Sequence, residues 1–133
     1  MLRMLLIILS FSIANAETFT TIYQFGAVGG TLSGPLGPMV QNSQGVLYGT
    51  SSADYGAFFS LSPPTSTGGQ WTATALYEFG VNGGDGQYPS GVVAGPHGAM
   101  YGTTAAGGAY SHGTVFQITP PTAPGGSWTE TVL

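Results

Sequence analysis

The sequence predicts an all-β protein made of two tandem four-stranded units. Three observations carry that expectation. A long string occurs twice, each copy holds about four short strand-like runs between turn signals, and no stretch beyond residue 16 shows the apolar spacing of an amphipathic helix.

Self-alignment defines the repeat. IYQF at residues 22–25 returns as LYEF at 76–79, an offset of 54 that also relates Gly29, Gly30 and Pro35 to Gly83, Gly84 and Pro89. GVLYGTS from Gly45 returns as GAMYGTT from Gly98, at an offset of 53. GAFFSLSPPTSTGGQW from Gly56 returns as GTVFQITPPTAPGGSW from Gly113, at an offset of 57. The offset changes only in loops. A degenerate first unit therefore covers 17–71, a second covers 72–128, and 129–133 read as the start of a truncated third, with Leu133 the counterpart of Leu76.

In the second unit, strands are expected at 72–79, 91–95, 99–104 and 114–119. Gly-Gly-Asp-Gly at 83–86 and Gly107-Gly108 separate them, and Pro120-Pro121 ends the last, because proline cannot donate to a ladder. That last strand alternates cleanly, with Thr114, Phe116 and Ile118 on one face and Val115, Gln117 and Thr119 on the other. Its counterpart puts Ala57, Phe59 and Leu61 on the first face. Four short strands in a unit of roughly 40–55 residues is the pattern of a β-propeller blade. A β-solenoid and a duplicated two-sheet sandwich are the rival architectures. Propellers close with roughly four to eight blades, so two leave the structure open, to be completed by more units or by oligomerisation. Unpaired edges and an uncovered apolar flank predict self-association.

Residues 1–16 read as a signal peptide. Arg3 supplies the positive start, residues 4–13 are apolar apart from Ser10 and Ser12, and Ala14-Asn15-Ala16 is a small-x-small cleavage pattern, so the mature chain is expected to begin at Glu17. The apolar stretch is short of the ~20 residues that span a bilayer. Arg3 is the single Lys or Arg of the chain, against five carboxylates and two histidines. A mature chain without a basic side chain other than His97 and His112 cannot release counterions from phosphates, which argues against nucleic acid. The same lack argues against anionic membrane surfaces after leader removal. With no cysteine, zinc-thiolate sites and thiol redox chemistry are excluded.

The repeated strings also resemble a known family. LYEF…GGDGQYPSGVV, GAMYGTTAAGGAYSHGTVFQI and GGSWTETVL are similar to the tandem repeat of bacterial secreted choice-of-anchor GloVer-repeat proteins, over nearly the whole mature chain. The GxLYGT segment in addition resembles a strand of NHL-type propeller repeats. The second unit fits through Leu76, Tyr77, Phe79, Gly83 to Gly86, Pro89, Tyr101 to Thr104 and Gly113 to Phe116. The first departs at Thr31, Ser51 and Phe58. The resemblance implies export, many tandem units and a C-terminal anchoring segment. That segment is missing here, which favours a fragment. The resemblance brings no enzymatic activity with it.

Trp71 and Trp128 each follow a Gly-Gly pair and precede a strand. With Tyr55 or Tyr110 they can form sugar-stacking platforms, because flat aromatic faces suit sugar rings. Packing between neighbouring blades is the favoured alternative. His112 lies beside Tyr110 in the longer loop and offers a polar contact. Asp85 can lend a carboxylate to calcium, but six to eight oxygens are needed, and a turn role is favoured. No His lies beside a candidate nucleophile, G-x-S-x-G is absent, and the carboxylates are scattered. No catalytic residue, metal or cofactor is therefore expected. The reading is a secreted, non-catalytic β-repeat module with a surface, structural or ligand-binding role. Its alternatives are a glycan-binding, lectin-like propeller oligomer and a fragment of a larger extracellular propeller enzyme. A glycan or cell-surface component is the candidate partner.

Overall fold

The computed structural model describes residues 17–26 and 32–133. The expected leader, together with Gly29, Gly30 and Thr31, lies outside the described residues. Eight strands form two antiparallel four-stranded sheets. β1 (Pro35–Gln41), β2 (Leu47–Ser51), β3 (Ala57–Ser62) and β4 (Thr72–Glu78) pair in chain order. β5 (Gly86–Ala94), β6 (Met100–Gly107), β7 (Val115–Thr119) and β8 (Thr129–Val132) do the same. The one helical element among the described residues is a 3₁₀ turn at Pro96–Gly98. The all-β class is thus the fold observed, and the two sheets fit two blade-like units; the described residues show no closed propeller.

The two sheets share one design. Leu61 faces Ala73 as Ile118 faces Glu130, and Gly49 faces Phe59 as Gly102 faces Phe116. The glycine of each YGT string is explained by that second pair. A Cβ on Gly49 would lie 2.9 Å from the Phe59 ring, and one on Gly102 would lie 2.6 Å from the Phe116 ring. Each phenylalanine lies over a gap that only glycine leaves open. The first strand of each sheet carries a bulge, marked by a register shift between Leu36 and Val40 and between Pro89 and Val92. Both first strands are sheet edges, where proline is tolerated.

The sheets are out of phase with the sequence units. Thr72–Glu78 opens the second unit but is the fourth strand of the first sheet, and Thr129–Val132 closes the second sheet. Each β3–β4 or β7–β8 connection is a proline-rich reversal closed by an equivalent bond, Gly69 N–H to Ser66 O and Gly126 N–H to Ala123 O, both at 3.1 Å. Such a short reversal returns the chain antiparallel beside the strand it has just left.

The core is the seam between the sheets. Val40, Tyr48, Phe58 and Leu76 from the first sheet meet Val92, Met100, Phe116 and Ile118 from the second. Burying a side chain of the size of Phe58 is worth about 1.5–3 kcal/mol. The sheets approach most closely along β1 and β5 and draw apart toward β4 and β8. At the close end Gly37, at φ 74°, has no room for a Cβ beside the Ser90 carbonyl and Gly91. At the open end Trp128 fills the gap.

Candidate functional site

The aromatic side chains make a repeating contact. Tyr77 packs edge-on against Phe79 at 5.2 Å between ring centroids, and Phe79 against Phe116 at 5.0 Å. Tyr23 packs against Phe25 at 5.0 Å, and Phe25 against Phe59 at 5.1 Å. These are the same residues of the two YxF strings. In each, the phenylalanine leaves its string to cover the β3 or β7 phenylalanine of the sheet that follows.

The five aromatic and histidine candidates fall at two ends of the sheets. Trp71 and Trp128 stand directly before β4 and β8, whereas Tyr55, Tyr110 and His112 sit in the opposite β2–β3 and β6–β7 connections. Trp128 is half-buried in the seam, 5.1 Å from the Phe58 ring and 5.8 Å from that of Tyr48. Trp71 is half-buried too, but has no ring partner among the described residues. The equivalent tryptophans thus have different surroundings, because a sheet lies over one of them only. Tyr110 is 86% exposed, and with His112 it lines a shallow cavity bounded by Val115, Val132 and Leu133.

Tyr55 has a neighbour that sequence reasoning missed. Its ring lies 6.2 Å from that of Tyr88, and the Tyr88 N–H donates to the Tyr55 carbonyl at 2.7 Å. Tyr88 has φ 59°, where the first unit has Gly34 at φ 61°. A bulky residue there carries backbone strain that glycine avoids, and it holds an exposed ring beside another. The substitution of Tyr for Gly at matching repeat positions was the available signal.

Polar groups are concentrated at the connection between β4 and β5. Asp85 is 6% exposed, and its Oδ2 accepts from the Tyr77 hydroxyl at 3.1 Å and the Gly80 N–H at 2.9 Å. Asp85 therefore folds the loop back on the strand that precedes it. Asp85 Oδ1 and Glu130 Oε1 are both buried without a hydrogen-bond partner among the described residues. Burial pushes the Glu130 carboxyl up to about 7, and the neighbouring Asp85 carboxyl adds to this by hydrogen bonding and repulsion, against the Gly86 N–H. Burial also raises the Tyr77 hydroxyl, to about 12, opposed by its bond from Asn82. This arrangement favours the protonated form of Glu130. Among the described residues no three His, Asp or Glu side chains gather as a metal site. No described helix is long and apolar enough to cross a membrane.

A threonine network at the base of the β6–β7 connection is structural. Thr104 Oγ1 donates to Ala106 O at 3.0 Å and accepts from the Thr114 N–H at 2.9 Å, which ties the long β6–β7 connection to its base. No family model matches the chain, and no curated protein or solved structure does.

Proposed function

We propose that the chain is a secreted, non-catalytic repeat module that serves as a structural or surface-binding element, through sheets that stack in series. The observation that supports this most is the recurrence of the aromatic contact at 5.0 and 5.1 Å, in which the phenylalanine of each YxF string covers the next sheet. A unit whose first strand completes one sheet and whose next residue seals another is built to extend by repetition. Its likeness to the repeats of secreted GloVer-type proteins points the same way. The apolar segment of residues 4–13 and the Ala14-Asn15-Ala16 pattern support export.

Mass analysis of the chain recovered from its own cells tests this. The expected species starts at Glu17 and is found outside the cytoplasm. A chain that keeps Met1 and remains in the cytoplasm contradicts the proposal.

A further inference from the structure

One face of the second sheet has no cover among the described residues. By register Val93, Tyr101, Thr103 and Val115 share the side away from the seam. Val93 is 61% and Val115 52% exposed, and together with Tyr101 they line an apolar groove of about 360 Å³ that ends at Pro38. Isolated exposed valines are ordinary, but a contiguous groove of this kind is a contact surface.

The repeat shows what such a face receives. Val93, Tyr101 and Val115 are the counterparts of Val40, Tyr48 and Phe58. In the first sheet those three form the seam, and Trp128 packs on Tyr48 and Phe58. Thr103 is the counterpart of Thr50, whose hydroxyl is buried and donates to Leu36 O at 3.0 Å, with Pro89 O across the seam at 3.5 Å. Trp71 is the counterpart of Trp128. That equivalence assigns Trp71 to the first sheet's other side, where Met39 lies beside Gly49 and is exposed, and no described ring packs against Trp71.

We infer that the Val93–Tyr101–Val115 face binds the Trp71 face of a second copy of this chain, head to tail. This repeats between molecules the seam found within one. The inference rests on the stacking function proposed above and names its partner. The contact is heterologous: each copy keeps one free face of each kind, so association continues until a ring closes or a filament grows. Trp71 of the incoming copy sits over Tyr101 and Val115 as Trp128 sits over Tyr48 and Phe58. The smaller Val115, in place of phenylalanine, leaves the groove.

The test is sedimentation of the purified chain and of two variants, alone and mixed. The chain itself is expected to form species larger than a dimer. Val115→Asp puts a charge into the groove, and Trp71→Ala removes the incoming ring. Each alone should weaken association by about tenfold or more, equivalent to at least about 1.4 kcal/mol. Mixed in equal amounts, they should form a dimer and nothing larger, since one supplies an intact Trp71 face and the other an intact groove. Val93→Asp is a second groove variant should Val115→Asp not fold. A chain that stays monomeric up to its solubility limit, with a cooperative melting transition, overturns the inference and leaves the exported module standing. So does a mixture of folded variants that stays monomeric. Loss of association in Val115→Asp but not in Trp71→Ala also overturns it, because it indicates two grooves packed face to face.

Discussion

At the scale of single residues, the conspicuous YGT string is a packing device. Gly102 is opposite Phe116, and a Cβ there would come within 2.6 Å of its ring and 2.5 Å of the Gly91 carbonyl oxygen. Neither the completely buried ring nor the backbone has room to move. Gly102→Ala is therefore expected to cost about 1–3 kcal/mol, as overpacking of a filled core does. Gly83, by contrast, has nothing within 4 Å of its Cβ position, so Gly83→Ala is the matched control. Thermal denaturation checks the pair: a melting temperature several degrees lower for the first, and little change for the second. Equal melting temperatures would show that the phenylalanine does not lie over the glycine. The sequence alone showed the glycine recurring in both units. It could not show the reason, because the covering ring belongs to another strand.

At the scale of elements, alternation made β7 legible, and the same alternation is blurred in β3, where Ala57 to Ser60 are all buried. Both faces of β3 are covered, so no polar face was needed to mark it. The strand expected at 91–95 begins earlier, at Gly86, because the bulge at Gly91 lets the ladder continue past Pro89. The proximity of Asp85 to Glu130 was not legible, since one precedes β5 and the other lies in β8, at the far side of the same sheet. That proximity makes the anchoring of β8 sensitive to pH. The folded chain keeps a proton on Glu130 up to about 7, whereas the ordinary value is 4.5. Folding then takes up a proton between these values, so the stabilising contribution is complete below about pH 4.5 and is lost as pH rises through about 7. Melting temperatures should fall from pH 5 to pH 8 in the natural chain, and this fall should be smaller in Glu130→Gln. A Glu130→Gln variant with the same pH profile would contradict a protonated Glu130 in the folded chain.

At the scale of the whole molecule, the sequence repeat announced two similar units but not where one sheet ends. Similarity marks equivalent residues; hydrogen bonding decides which strands pair. The fourth strand of each sheet follows the tryptophan that the repeat places at a unit's end, so the sheets begin at β1 and β5 and the units do not. This overlap joins the units, because Phe79, directly after β4, seals the second sheet against Phe116. It also explains why the two tryptophans, identical in sequence context, differ in surroundings. Only Trp128 has a preceding sheet to lie against. The candidate Tyr55, Tyr110 and His112 were legible as loop residues, but their distance from the tryptophans follows from the length of β3 and β7 and from no local signal.

Nuclear Overhauser contacts in solution report whether the two sheets stack and whether β8 closes the second. Contacts are expected from the Trp128 indole to the rings of Phe58 and Tyr48 and from Phe79 to Phe116, together with slow amide exchange at the β7–β8 ladder. A Trp128 ring without contacts to the first sheet, alongside β8 amides that exchange as fast as in an unfolded chain, would contradict both.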